Sequence, residues 1–310
     1  MAEAAERTCY RHPDRVTGLS CSECGRPICT ECMTMAPVGI RCPEHSGRPQ
    51  GVQRMAKGAQ RAAFEGAGAR VTRALIALNV FVYVAELAQG SGVNATKGPI
   101  FQQGVLIANG VKAGNTVVGV PANVRIPRGF TEIGVAHNEY WRLITAAFLH
   151  YGPFHLLLNM VALWWFGSLL EQRIGSGKFL ALYFVSGLAG SAGALVHSPL
   201  SPTVGASGAI FGVLGAGLVL EWQRDYVFGG SALGMIVINL AFTFVYSGNI
   251  SIGGHIGGLI GGALCALGMT RFGRVGAAYG RPGLAGTITM VGVGVVSVLI
   301  AYWKTKGYAV

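Results

Sequence analysis

The sequence predicts an all-α polytopic membrane protein with a small metal-binding module at its amino end, and three observations predict it. Of its 310 residues 51% are hydrophobic and only 12% charged, and glycine supplies 48 positions, a membrane profile rather than a soluble one. Seven apolar runs near span length follow residue 70. Six of the seven cysteines fall before residue 43.

Those cysteines pair with one another or with histidine across two-residue gaps: Cys9 with His12, Cys21 with Cys24, Cys29 with Cys32, and Cys42 with His45. Eight ligands in four pairs is the arithmetic of two tetrahedral zinc sites. A disulfide framework would not require histidine at the end of a pair, and the cytoplasm would reduce it. Residues 9–45 resemble the B-box and related cross-braced zinc fingers. The resemblance implies one zinc on Cys9, His12, Cys29 and Cys32 and another on Cys21, Cys24, Cys42 and His45; sequential pairing stays open. No open coordination position is on offer, so both ions are expected to be structural, and residues 1–46 read as an interaction module for a protein partner.

Residues 47–70 read as a linker, rich in Gly, Ala, Gln and Arg. The net charge is +11, and Arg48, Arg54, Lys57, Arg61, Arg70 and Arg73 precede the first apolar run against the single acid Glu65. This is the pattern of a cytoplasmic juxtamembrane segment touching anionic lipid rather than of a nucleic-acid site. The first 45 residues are polar and cysteine-rich, so no cleavable signal peptide is expected there.

The membrane domain is expected over 71–303, with a short tail at 304–310. Its first span is Ala74 to Ala88. Residues 89–140 are too polar and too rich in Gly and Pro to cross, and a loop that long is usually functional. Tyr140-Trp141-Arg142-Leu143-Ile144 at its end suits a membrane interface. Further spans follow at Gly152–Leu170, Phe179–His197, Ser207–Trp222, Ala232–Val245, Ile252–Met269 and Gly286–Tyr302. In the second, His155 and Asn159 share a helical face, and polar groups at such depth usually face a protein interior or a water-filled cavity. Arg173, Lys178, Arg224, Arg271, Arg274 and Arg281 fall on the side of the amino terminus, whereas the turns at 198–206 and 247–251 carry no Lys or Arg. The positive-inside rule then puts the amino terminus in the cytoplasm and the carboxyl terminus outside.

Chemistry is concentrated at two helix starts. A serine hydroxyl is a poor nucleophile unless a base takes its proton. Gly205-Ala206-Ser207-Gly208 opens the fourth span and His255, 48 residues on, lies at the start of the sixth. Alone, Gly-Ala-Ser-Gly is a packing motif of membrane helices. But Gly208, Gly212 and Ala216 recur at four-residue spacing, as do Gly254, Gly258, Gly262 and Ala266. Such rows let two helices pack backbone to backbone, bringing the hydroxyl and imidazole within hydrogen-bond reach. The fourth span, at about 16 residues, is shorter than the roughly 20 that a crossing needs, so Ser207 is expected below the membrane surface under a water-filled hollow.

Together, His150-x-x-x-x-His155-x-x-x-Asn159, Gly205-Ala206-Ser207-Gly208 and His255-x-x-Gly258-x-x-x-Gly262 resemble the rhomboid intramembrane serine proteases, as do Trp141-Arg142 and Glu171-x-Arg173. The resemblance covers about 71–303. It implies a six-helix core with an added seventh span that cleaves transmembrane protein substrates near the outer face, without a cofactor for catalysis. Ser207 would be the nucleophile and His255 the general base. His155, Asn159 and the Ser207 N–H would hold the oxyanion, with His150 supporting them. Two positions depart from the family pattern: Phe211 stands where bacterial members often have Tyr, and Gly254 where Ala is frequent. A catalytically silent relative that binds transmembrane helices would typically lack Ser or His, and both are present. A metal site on His150, His155 and His255 has no His-Glu-x-x-His motif behind it and no mid-span acid expected nearby.

Overall fold

A computed structural model describes residues 7–35, 39–46, 68–245, 251–272 and 283–308. Most of the expected linker lies outside these residues, as do Arg274, Arg281 and most of the 247–251 turn. The chain divides into two units, Met1–Gly58 and Ala59–Val310.

The first unit is built from two antiparallel hairpins and one helical turn. Strand β1 (Thr8–Cys9) pairs with β2 (His12–Val16), β3 (Thr34–Met35) pairs with β4 (Ile40–Arg41), and α1 spans Pro43–Ser46. Among its described residues the buried side chains are five cysteines and Ile28. So small a core cannot hold about 40 residues without metal or disulfides, and the cysteines are unpaired thiols.

The second unit is a helical bundle. Helix α2 (Arg70–Ala88) turns Thr72, Leu75, Asn79, Tyr83 and Glu86 inward, one face at helical period, while Val80, Phe81 and Val84 stay exposed. Its start is capped from afar. The Glu171 carboxylate accepts from the backbone N–H groups of Val71 (3.0 Å) and Thr72 (2.8 Å) and from the Thr72 hydroxyl (2.8 Å). This satisfies donors that a helix start leaves open.

The long loop is ordered, and it contains strands that the polarity of the segment did not foretell. Helix α3 (Pro99–Gly104) leads into a three-stranded antiparallel sheet of β5 (Gly110–Ala113), β6 (Thr116–Gly119) and β7 (Glu132–Ile133), with β5 in the middle. Leu106 exchanges backbone hydrogen bonds with Thr203, at 2.9 and 3.0 Å, which ties this loop to the turn before Ser207. Helix α4 (Arg142–Thr145) follows. Arg142, expected at an interface, is instead fully buried. It donates to Glu139 (2.7 Å) and to the carbonyls of Gln102 and Val105 (both 2.9 Å).

Helix α5 (Gly152–Ile174) has a π turn at Leu163–Gly167. Then come α6 (Ser176–His197), α7 (Ser207–Trp222), α8 (Ala232–Val245), α9 (Ile252–Leu267, continued by a π turn to Phe272) and α10 (Leu284–Thr305). Among the described residues five helices are long and apolar enough to cross a membrane, and α7 and α8 are shorter apolar helices.

Three helices meet through glycine. A Cβ on Gly258 would lie 1.9 Å from the Gly208 carbonyl oxygen, one on Gly262 2.0 Å from that of Gly212, and one on Gly193 2.2 Å from that of Gly253. No other residue fits there, so α6, α7 and α9 are locked backbone against backbone. The small-residue rows are the seam of the bundle.

Candidate active site

Ser207 is the first residue of α7, and its helical N–H has no acceptor in its own helix. Its hydroxyl lies 2.7 Å from His255 Nε2, and His255 sits in the first turn of α9, buried at 6% exposure. Ser251 caps that turn by accepting from the Gly254 N–H at 3.1 Å. The glycine contacts that press α7 on α9 begin one residue after Ser207 and three after His255, so the helix seam sets the distance between the two side chains.

Two further groups bracket the imidazole. Phe211, one turn after Ser207, stacks on it with ring centroids 4.1 Å apart and planes 17° from parallel. The Thr243 hydroxyl of α8 lies 2.7 Å from His255 Nδ1. The sequence reading has Phe211 but not Thr243. The only signal for Thr243 was a hydroxyl in an otherwise apolar run.

Opposite the imidazole stands the polar face of α5. The Tyr151 backbone N–H donates to His155 Nδ1 at 3.2 Å, which makes Nδ1 the acceptor and leaves the proton on Nε2. That nitrogen faces the serine turn. A Cβ built on Gly205 would fall 2.9 Å from His155 Nε2 and 3.8 Å from Ser207 Oγ, at a φ of +119°. Gly205 is therefore required twice, by its backbone and by the ring beside it. Asn159, one turn on, is 6% exposed and donates one amide hydrogen to the His155 carbonyl at 2.8 Å; the amide has a second. His150 is fully buried and packs edge-on to His155, centroids 5.1 Å apart.

The amino-terminal unit brings its eight candidate ligands into two groups, Cys9, His12, Cys29 and Cys32, and Cys21, Cys24, Cys42 and His45. This is the interleaved pairing. Within each group every ligand atom lies within 4.8 Å of the others. His12 Nδ1 is 3.3 Å from the sulfurs of Cys29 and Cys32, and His45 Nδ1 is 3.1 Å from Cys42 Sγ. A tetrahedral zinc with bonds of about 2.0–2.3 Å has edges of roughly 3.5 Å, so both groups fit such an ion. Burial pushes the thiols up, but backbone N–H groups, of Arg11 and Cys29 at one site and Cys42 and Cys24 at the other, bring Cys9 and Cys21 down to about 6.

A polytopic helical bundle that sets a serine against an imidazole at two helix starts defines the class, a multi-pass membrane protein with a serine/histidine pair on a glycine-packed scaffold. A Rhomboid domain model matches residues 137–272, a stretch that contains every residue of this site. Rhomboid protease GluP of Bacillus subtilis (strain 168) is 46% identical over 148 residues, 46% of this chain and 29% of that protein. Putative rhomboid protease YdcA of the same organism is 42% identical over 136 residues, 43% of this chain and 68% of that protein. RHOMBOID-like protein 6, mitochondrial, of Arabidopsis thaliana is 38% identical over 136 residues, 41% of this chain and 43% of that protein. The chain belongs to the rhomboid family. It spans two thirds of YdcA but less than a third of GluP, and the match begins well after the cysteine-rich unit.

Proposed function

We propose that this protein is an intramembrane serine endopeptidase that cleaves transmembrane protein substrates near the outer membrane face. The observation that carries the reading is the 2.7 Å contact between Ser207 Oγ and His255 Nε2, with a protonated His155 nitrogen on the other side of the serine turn. The relatives named as rhomboid proteases support it.

In this reading Ser207 gives its proton to His255 Nε2 as Oγ attacks the scissile carbonyl carbon. The oxyanion that forms is met by the Ser207 N–H, by His155 Nε2–H and by the second amide hydrogen of Asn159, and such donors are worth about 3 kcal/mol each. His150 holds the His155 ring by packing. When the intermediate collapses, the His255 imidazolium protonates the leaving amine. Water then repeats the sequence on the acyl-enzyme.

The eight cysteine and histidine ligands would hold two structural zinc ions, in a module that serves a protein partner. Seven helices would cross the bilayer, with the basic segments toward the cytoplasm. Purified protein incubated with a single-span model substrate tests the activity: the wild type should release two fragments and Ser207→Ala none. Equal cleavage by both would refute the assignment.

A further inference from the structure

His255 Nδ1 faces a second helix, and its partner there has a single proton to give. The Thr243 hydroxyl lies 2.7 Å from His255 Nδ1 and 2.8 Å from the carbonyl oxygen of Asn239, one turn back on α8. A carbonyl oxygen can only accept. Both contacts are satisfied together in just one way: the Thr243 O–H donates to Asn239, and Nδ1–H donates to the free lone pair of Thr243. Nε2 then carries no proton, which is the form that can take one from Ser207. Thr243 is 1% exposed, so no water competes for the hydroxyl. The back-bond to a carbonyl four residues earlier is ordinary for threonine in an apolar helix. The imidazole on its other side is not.

We propose that Thr243 is the positioning residue of the dyad: it receives Nδ1–H of His255, fixes the tautomer that leaves Nε2 free, and holds the imidazolium after proton transfer. The inference rests on reading Ser207 and His255 as nucleophile and base. It assigns to a neutral hydroxyl on α8 the place that a carboxylate fills in a serine triad, where it orients the ring and stabilises its charge. No proton moves to Thr243. As Oγ bonds to the carbonyl carbon, the serine proton arrives at Nε2, Nδ1 keeps its own, and Thr243 accepts a charge-assisted hydrogen bond in place of a neutral one. The ring is then held at three points from two helices: Nε2 by Ser207, its face by Phe211, and Nδ1 by Thr243.

The test compares wild type, Thr243→Val, which keeps the shape and deletes the hydroxyl, and Thr243→Ser, which keeps the hydroxyl. Cleavage of a model single-span substrate should show kcat lowered by about 10- to 100-fold in Thr243→Val, the loss expected for one hydrogen bond to a charged group. KM should be unchanged, and Thr243→Ser should recover to within about threefold of wild type. Labelling of Ser207 by a phosphonofluoridate should follow the same order. Nitrogen-15 spectra of histidine-labelled wild type, assigned by difference with His255→Ala, should give His255 Nε2 a pyridine-type shift and Nδ1 a pyrrole-type shift. The reverse tautomer in wild type, a Thr243→Val enzyme with wild-type kcat, or a Thr243→Ser enzyme as slow as Thr243→Val would overturn the proposal. If Thr243→Val does not fold, the wild-type spectrum and the Thr243→Ser rate still decide it. A wild type that neither cleaves nor labels at Ser207 would instead sink the protease reading itself.

Discussion

Alanine at Gly258 should disable the dyad without touching either of its members. The added Cβ would sit 1.9 Å from the Gly208 carbonyl oxygen, 2.7 Å from its carbon and 3.1 Å from its Cα. All three are backbone atoms, so none can swing aside. Ordinary contact begins near 3.4 Å, and α7 and α9 must therefore part by about 1.5 Å at this level, or the chain must bend by as much. Gly208 follows Ser207 and Gly258 is one turn from His255, so the opening acts where the two side chains meet. A 2.7 Å contact stretched by that amount is no longer a hydrogen bond. Overpacking of this kind costs about 1–3 kcal/mol of stability, which a folded bundle can survive, whereas a misplacement of about 1 Å can cost 100-fold in rate. The assay is phosphonofluoridate labelling of Ser207 alongside substrate cleavage, with Gly292→Ala on α10 as control, since nothing lies within 4 Å of a Cβ there. Gly258→Ala should label at least about 100-fold more slowly and the control like wild type. Wild-type labelling of a folded Gly258→Ala protein would refute the claim that this seam sets the dyad distance.

Other outcomes follow from the same contacts. If Asn159 is an oxyanion donor, as proposed, Asn159→Ala removes no proton-transfer group, so turnover should fall by about 100-fold while phosphonofluoridate still labels Ser207; loss of labelling would assign Asn159 a different role. Glu171→Ala strips the cap from α2 and the 2.6 Å bond from Ser176, and should lower stability by about 2–3 kcal/mol, read as a lower melting temperature with labelling retained in the cold. Metal analysis should find about two zinc ions per chain, falling to about one for either Cys29→Ala or Cys42→Ala, with chelation unfolding residues 7–46. Cysteine at Ser201 should react with an impermeant outer-face reagent and cysteine at Arg224 should not; the reverse would invert the orientation.

What the sequence made legible was whatever local chemistry or periodicity decides. Hydropathy marked the helices because bilayer depth dictates a length, and the apolar runs end within a few residues of the observed helices. Ser207 and His255 could be paired because the same small residues that drive helix contact also fix which faces meet. The loop sheet was missed for a different reason. Ala113-Gly114-Asn115-Thr116 is a two-residue turn between short apolar strands, with Gly114 at φ +58°, a hairpin signal that the overall polarity of 89–140 obscured. Trp141-Arg142 read as an interface pair because both residue types favour that level, yet Arg142 is spent on carbonyls inside the loop. Thr243 was beyond any local reading. A threonine in an apolar helix bonds back to its own backbone by default, and only the packing of α8 against α9 reveals the imidazole on its other side.

The short serine helix links this geometry to the choice of substrate. Sixteen residues rise about 24 Å, against a hydrocarbon core of about 30 Å. With its carboxyl end placed at one surface, α7 would leave Ser207 about 6 Å below the other. Water can reach that depth only along polar walls, and His155, Asn159 and the serine turn supply them. A substrate helix has no such freedom: its peptide bonds are closed by hydrogen bonds that cost several kcal/mol each to open in lipid. In the proposed reaction the bond to be cut would therefore leave its helix beside the polar wall, where donors are at hand. Glycine or proline in the substrate helix near that depth would lower the cost by about 1–3 kcal/mol per residue. If the protein cleaves such helices, as proposed, selection among substrates would fall on how easily a helix unwinds at the depth of Ser207.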